Sequence, residues 1–346
     1  MSKLPKPIQR NARSIDLALQ GGGAHGAFTW GVLDRLLEED WLKLEAISGT
    51  SAGAMNAAVL ADGYEHDGPE GARESLERFW RLVSDAARYS PFQRTLLDIL
   101  LGRWTLDLSP AYVVMEMMAR VVSPYAMNPA GKNPLTEILE KCVDFDRLFA
   151  SPVRLFVTAT NVHTGRGRVF SNAELTPQVL LASACLPTLY HAVEIDGEPY
   201  WDGGYSGNPT LTPLIEDCAA EDTILVQINP IERPGTPKTA RDIQSRINEV
   251  SFNAVLLKEL RMAAIMRKVA DPGNADGARW ASMRLHRIAS DVMLELGASS
   301  KMNAEWPFLL MLRDKGREAA QTFLDAHADD IGERPSFDLD ELIEGN

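Results

Sequence analysis

The sequence predicts an α/β protein: a three-layer sandwich with a central, largely parallel sheet flanked by helices, plus a helical C-terminal extension. Two apolar runs near the start carry that prediction. Residues 15–19 and 44–47 are short, end in small or glycine-rich loops, and each lead into apolar residues at helical spacing. Strand, loop and helix met twice in succession imply parallel strands joined by helical crossovers. Residues 223–228 form a third run of the same buried-strand kind.

In chain order, residues 1–13 are polar and proline-bearing and read as a lead-in. Residues 27–39 then place Phe28, Val32, Leu33, Leu36 and Leu37 at helical spacing. The second strand passes into a small-residue helix over 52–61, and helical spacing resumes over 72–87. Residues 91–131 are rich in leucine and methionine between prolines. A core helix pair is the first expectation there, with a lid or lipid-contact surface as the alternative.

Residues 155–159 and 168–170 read as a strand pair around Thr164-Gly165-Arg166-Gly167. A short helix over 177–184 ends at Leu186-Pro187, and Asp196-Gly197 between two short runs signals a hairpin. Beyond Pro230 the pattern becomes a mixed-charge helix over 240–270, with Glu249 and Glu259 read as part of a solvated face. A breaker over 271–277 and helical patterns over 306–328 follow. The last 18 residues hold seven acids against one arginine, which predicts a solvated tail. The units are thus 1–13, 14–230, a mainly helical 231–328 and an acidic tail, 329–346.

Composition narrows the function classes. At 45% hydrophobic and 24% charged residues, the chain has the means to bury a large core. Its net charge of −13 argues against a nucleic-acid partner and disfavours strongly anionic membranes, though a local basic patch can override the total. Cys142, Cys185 and Cys218 lack zinc or redox spacing, so free thiols in a reducing compartment are expected. The basic N-terminus precedes no apolar signal region, and no run of about 18 apolar residues is present, which makes the cytoplasm the expected location.

The chemistry concentrates in three places. Gly49-Thr50-Ser51-Ala52-Gly53 at the end of the second strand matches a nucleophile elbow, where a tight strand-to-helix turn exposes a serine hydroxyl. Gly21-Gly22-Gly23-Ala24-His25-Gly26 after the first strand fits the dinucleotide fingerprint literally. That reading calls for an acid at the end of the second strand, where Ser48-Gly49-Thr50-Ser51 stands instead. The remaining feature is a helix N-terminus rich in backbone N–H groups, able to hold an oxyanion. Trp201-Asp202-Gly203-Gly204 supplies an acid. Of six histidines only His286 and His327 follow Asp202, so a Ser–His–Asp triad is awkwardly placed.

Taken in order, these motifs resemble the patatin-like phospholipases, over residues 14–230. That family joins a glycine-rich oxyanion loop, a serine elbow and an Asp-Gly-Gly or Asp-Gly-Ala motif, and it uses a Ser–Asp dyad. Residues 182–187, Ala-Ser-Ala-Cys-Leu-Pro, match a further family segment. The resemblance implies Ser51 as nucleophile and Asp202 as base, with Gly49 and Gly53 shaping the elbow and Gly203 and Gly204 following the base. Backbone N–H groups of Gly21, Gly22, Gly23 and Gly26 would hold the oxyanion. Many members carry arginine or lysine at the position of His25, so a charged aid is weaker here. The implied activity is hydrolysis of acyl esters of lipids, without metal or organic cofactor and with transient contact to a membrane surface. Asn161 and Asn208 are candidate pocket residues, although loop structure explains them equally well.

Overall fold

The structure, a computed structural model, describes residues 10–340, apart from the side chains of residues 275 and 276. Most of the lead-in (1–9) and the end of the tail (341–346) lie outside the described residues. Strand β1 (Arg13–Leu19) and strand β2 (Leu42–Gly49) are parallel, and α1 (Gly26–Leu36) connects them. Their inner residues read as apolar runs because helices cover both faces of the sheet. Helix α2 (Ala52–Ala87) joins the two helical stretches read from the sequence, with Asp67 and Gly68 outside helical geometry just before Pro69. Proline disfavours helical backbone in the residue before it.

Short helices α3 (Leu96–Leu100), α4 (Pro110–Met118), α5 (Pro124–Met127), α6 (Pro134–Cys142) and α7 (Phe145–Ala150) lead to β3 (Arg154–Asn161), parallel to β2. Strand β4 (Gly167–Ser171) runs antiparallel to β3. After α8 (Pro177–Ser183) comes the hairpin of β5 (Val193–Ile195) and β6 (Glu198–Asp202), turned by Asp196 and Gly197 at positive φ. Helix α9 (Thr212–Asp217) precedes β7 (Asp222–Val226), parallel to β1.

Past α10 (Ala240–Val269) and α11 (Ala275–Ser282) lies a strand that the sequence does not announce, β8 (Arg284–Ile288), parallel to β7. It ends the sheet order β5-β6-β3-β2-β1-β7-β8, and an edge strand does not need an unbroken apolar run. Its fully buried polar residue, His286, is satisfied by Asp222 (3.0 Å) and Ser336 (2.9 Å). After α12 (Val292–Glu295), helix α13 (Trp306–His327) packs along α1. Gly31 and Gly316 let the two backbones meet, since a Cβ on either would strike the opposing helix backbone. Phe308, Leu309 and Leu312 of α13 belong to the same core cluster as Phe28 and Val32.

Two expectations are corrected. The tail from 329 to 340 is packed, not solvated: Ile331 and Leu339 are buried, and the Phe337 N–H bonds to the Leu285 carbonyl. Its acids are matched by basic partners, Asp329 by Arg10, Glu333 by Arg13 and Asp340 by Arg267 and Lys268. Residues 91–131 are not a core helix pair. Leu96, Leu100, Met117 and Val121 are 80%, 83%, 65% and 80% exposed, and α4 buries no residue fully. Prolines at 110, 124 and 129 keep these helices too short to wrap a core of their own.

Candidate active site

Three loops meet at the carboxyl edge of the sheet, the usual place for a site in an α/β fold. They follow β1 (residues 20–25), β2 (50–51) and β6 (203–210). Strand β6 runs against β3 but pairs only with its residues 159–161, so Asp202, opposite Ala159, stays at that edge. The side chains of Ser48 and Thr50 tie two of these loops together. They donate to the carbonyls of Thr210 and Gly207, each at 2.6 Å.

Ser51 sits at φ 54°, ψ −121°, directly before α2. Such a backbone costs a non-glycine residue roughly 1–3 kcal/mol and persists only where its surroundings impose it. Here Ser51 N–H donates to Ser183 Oγ (2.9 Å) and Gly53 N–H to the Thr50 carbonyl (2.8 Å). The turn is tight: a Cβ on Gly49 would come within 2.7 Å of the Gly53 carbonyl carbon. A Cβ on Gly21 would come as close to Ser51 Cβ, so the elbow and the glycine loop can touch only as glycine.

Asp202 is 1% exposed. Its Oδ1 accepts the Gly204 N–H at 2.7 Å, its own N–H donates to the Cys185 carbonyl, and its carbonyl accepts from Thr160 Oγ1. Burial pushes its carboxyl up to about 7, against the lowering pull of the Gly204 N–H, a hydrogen bond from the Ser51 side chain and the Lys301 ammonium. A carboxylate poised near neutrality, on the same cleft as a serine, is suited to general-base work. Gly203 and Gly204 form the 3₁₀ turn that follows it.

The glycine loop is more selective than its composition suggests. Gly21 N–H is taken by Asn208 Oδ1 (2.7 Å), and Gly26 N–H bonds to the Gly23 carbonyl. Gly21 and Gly26 are therefore not free donors, which corrects that part of the expectation. The N–H groups of Gly22 and Gly23 have no partner among the described residues, and both glycines line a cleft with Ser51 and Asp202. This cleft holds about 1080 Å³, with Met115, Leu186, Leu189 and Leu296 among its apolar walls.

Several supporting residues had no role in the sequence reading. Gln20 Oε1 accepts the N–H groups of Ile228 and Asn229 (both 2.9 Å), and Asn229 Nδ2 donates to the Gly21 carbonyl (2.8 Å). Asn208, a pocket candidate, instead anchors the glycine loop, while Asn161 stabilises the turn at Thr164. Glu249 and Glu259 are not on a solvated face either: Glu249 clamps Arg233 and Arg246, and Glu259 accepts the Leu211 N–H. The only sequence signal for this frame was amides next to strand ends, which loops carry for many reasons.

No described hydrogen bond joins a histidine to Ser51 or Asp202. His25 is buried with Nε2 2.8 Å from Ser300 Oγ, and burial beside Lys301 lowers its pKa to about 3, leaving a neutral ring. His286 belongs to the β7–β8 edge and His327 pairs with Asp330. Among the described residues no group of three His, Cys, Asp or Glu side chains could hold a metal ion. No described helix is long and apolar enough to cross a membrane.

A glycine loop, the strand-to-helix turn that carries Ser51 and the buried Asp202 thus meet at one sheet edge. The family profile described as Patatin-like phospholipase matches residues 17–215, and the chain belongs to that family. The family assignment supports a lipid acylhydrolase. No curated protein sequence matches the chain. Among solved structures, VipD from Legionella pneumophila is similar at 17% identity and a TM-score of 0.41, over 92% of this chain and 67% of that one. A chain of the full-length SpcU–ExoU complex from the Pseudomonas aeruginosa type III secretion system is also similar. It matches at 17% identity and a TM-score of 0.28, over 97% of this chain and 67% of that one.

Proposed function

We propose that the protein is a serine acylhydrolase that cleaves acyl esters of lipids through Ser51 and Asp202. The observation that carries this reading is the buried Asp202 carboxyl on the cleft it shares with Ser51, a serine held in a strained elbow, with burial raising that carboxyl to about 7. Ser51 Oγ attacks the ester carbonyl while its proton passes to Asp202. The N–H groups of Gly22 and Gly23 receive the oxyanion, and a well-aimed donor of this kind contributes about 3 kcal/mol to the transition state. Collapse breaks the bond to the alkoxy oxygen, which leaves as an alcohol with the proton from Asp202. Water then gives a proton to Asp202 and attacks the acyl-enzyme, and the proton returns to Ser51 as the fatty acid departs.

The apolar walls of the cleft support an acyl chain as the group transferred. The exposed leucines and methionines of α3 and α4 support transient contact with a membrane surface, because α4 also brings Tyr112 and Met115 to the cleft. Buried free thiols at Cys142, Cys185 and Cys218 support a reducing, cytoplasmic setting. The chemistry calls on no metal or organic cofactor. Phospholipids, lysophospholipids and neutral acyl esters are the substrates in view, with small esters or a storage polyester as the second choice.

The test is a panel of p-nitrophenyl esters of rising chain length and phospholipid vesicles, run on wild type and Ser51→Ala together. Turnover that rises with chain length and vanishes in Ser51→Ala supports the reading. Equal turnover by both proteins would sink it.

A further inference from the structure

The segment beyond the family match contributes one turn that packs directly on the glycine loop. The 3₁₀ stretch Ala298–Met302 lies against the glycine loop, where a Cβ on Gly23 would come 2.5 Å from the Lys301 carbonyl oxygen. The Lys301 side chain lines the same cleft as Ser51, Asp202, Gly22 and Gly23. Its Nζ donates to Asn229 Oδ1 at 2.7 Å, and Asn229 holds the Gly21 carbonyl through its other side-chain atom. The Phe252 ring, 5.7 Å from Nζ, packs where a Cβ of Gly204 would be. Lys301 and the Gly204 turn that follows Asp202 thus meet one aromatic ring.

This ammonium is unusually placed. Its hydrogen-bond partner is a neutral amide, and among the described residues it forms no ion pair. Glu249 faces it from α10 but is already held by Arg233 Nη2 (2.6 Å) and Arg246 Nη1 (3.1 Å). His25, on its other side, is neutral. A sequestered cation without a counter-ion is costly, and an acid near it gains what the cation lacks. Glu249 and Asp202 are the two acids that feel it, and of these Asp202 lines the cleft with Ser51. The other titratable groups around it, Cys185 and Tyr205, are both pushed upward and stay uncharged at neutral pH.

We infer that Lys301 is a positioning residue of the acyl-transfer site, supplying the fixed positive charge that keeps the Asp202 carboxylate ionised beside Ser51. The inference rests on the reading of Ser51 and Asp202 given above, and it assigns the C-terminal segment a part in the chemistry. Burial lowers the Lys301 pKa to about 8, which leaves it mainly cationic where the site would operate.

The experiment is the pH dependence of kcat/KM on p-nitrophenyl butyrate for wild type, Lys301→Met, Lys301→Gln and Lys301→Arg, with thermal melts of each. Loss of a nearby opposite charge raises a carboxyl. In Lys301→Met the acidic limb moves to higher pH, so the rate at pH 6 falls about two- to threefold or more while the rate at pH 9 changes little. Lys301→Arg keeps the limb near its wild-type position. Lys301→Gln, which still donates to Asn229, carries the same test if the methionine variant fails to fold. An unmoved limb overturns the inference, including a uniform loss at every pH of the kind lost packing would give. A wild type without Ser51-dependent turnover sinks the proposed function instead, whereas an active wild type with unmoved variants sinks only the role of Lys301.

Discussion

Acidification is the sharpest perturbation of this site, because Asp202 is placed to respond. Burial raises the Asp202 carboxyl to about 7, so it is ionised in about nine molecules of ten at pH 8 and in half at pH 7. At pH 6 the ionised share is about one in ten, and at pH 5 about one in a hundred. Only the ionised form can take the Ser51 proton. The value of kcat/KM, which reports the free enzyme, therefore falls about tenfold per unit below pH 7. Initial rates on a soluble ester such as p-nitrophenyl butyrate from pH 5 to 9 measure this directly, with circular dichroism at each pH to confirm the fold. A rate level from pH 8 to 5 would refute the reasoning, because it is what a carboxylate near its ordinary value of about 3.9 gives.

Asp16 tests the energetics of the sheet. It is buried in β1, and desolvation followed by the charge of Glu45 raises its pKa to about 8. The cost of burying its charge is absent below the unfolded value of about 3.9, grows as pH rises, and is complete above about 8. Asp16→Asn therefore stabilises by about 2–4 kcal/mol at pH 7, and urea titrations at pH 4 and 8 should show the gain only at the higher pH. Asp222 has the opposite sign: Arg284, His286 and the Gly332 N–H hold its carboxyl far below the usual range, so its contribution is present at neutral pH and lost as pH falls. Asp222→Ala strands these partners and should cost about 3–5 kcal/mol at pH 7, read from the shift in urea midpoint; a shift under a fifth of that would contradict the pairing. On the surface, Leu100→Glu with Met117→Glu should lower turnover of phospholipid vesicles several-fold and leave the soluble-ester rate within about twofold. Equal effects on both substrates would argue against a lipid-facing role.

The parts legible in the sequence are those where one residue type is sterically or chemically required. A tight elbow admits only small residues around Ser51, and buried parallel strands favour mainly apolar runs, so residues 15–19, 44–47 and 223–228 stood out. The edge strand β8 did not, because Arg284, His286 and Arg287 interrupt its apolar pattern. Residues 91–131 misled because apolar density does not say which way the side chains face. Which glycine N–H groups remain free depends on Asn208, a residue 187 positions from Gly21, and no local pattern encodes that meeting. Lys301 is hidden for the same reason: Ala298-Ser299-Ser300-Lys301 reads as a polar loop until the fold sets it against Gly23.

The central claim is that Ser51, activated by Asp202, is the nucleophile. Labelling with a fluorophosphonate, followed by peptide mass spectrometry, tests it most directly. The account predicts one adduct on the peptide containing Ser51, formed in wild type, absent in Ser51→Ala and strongly slowed in Asp202→Asn, with all three proteins folded. An adduct on another residue, or none at Ser51 in folded wild-type protein, would contradict it.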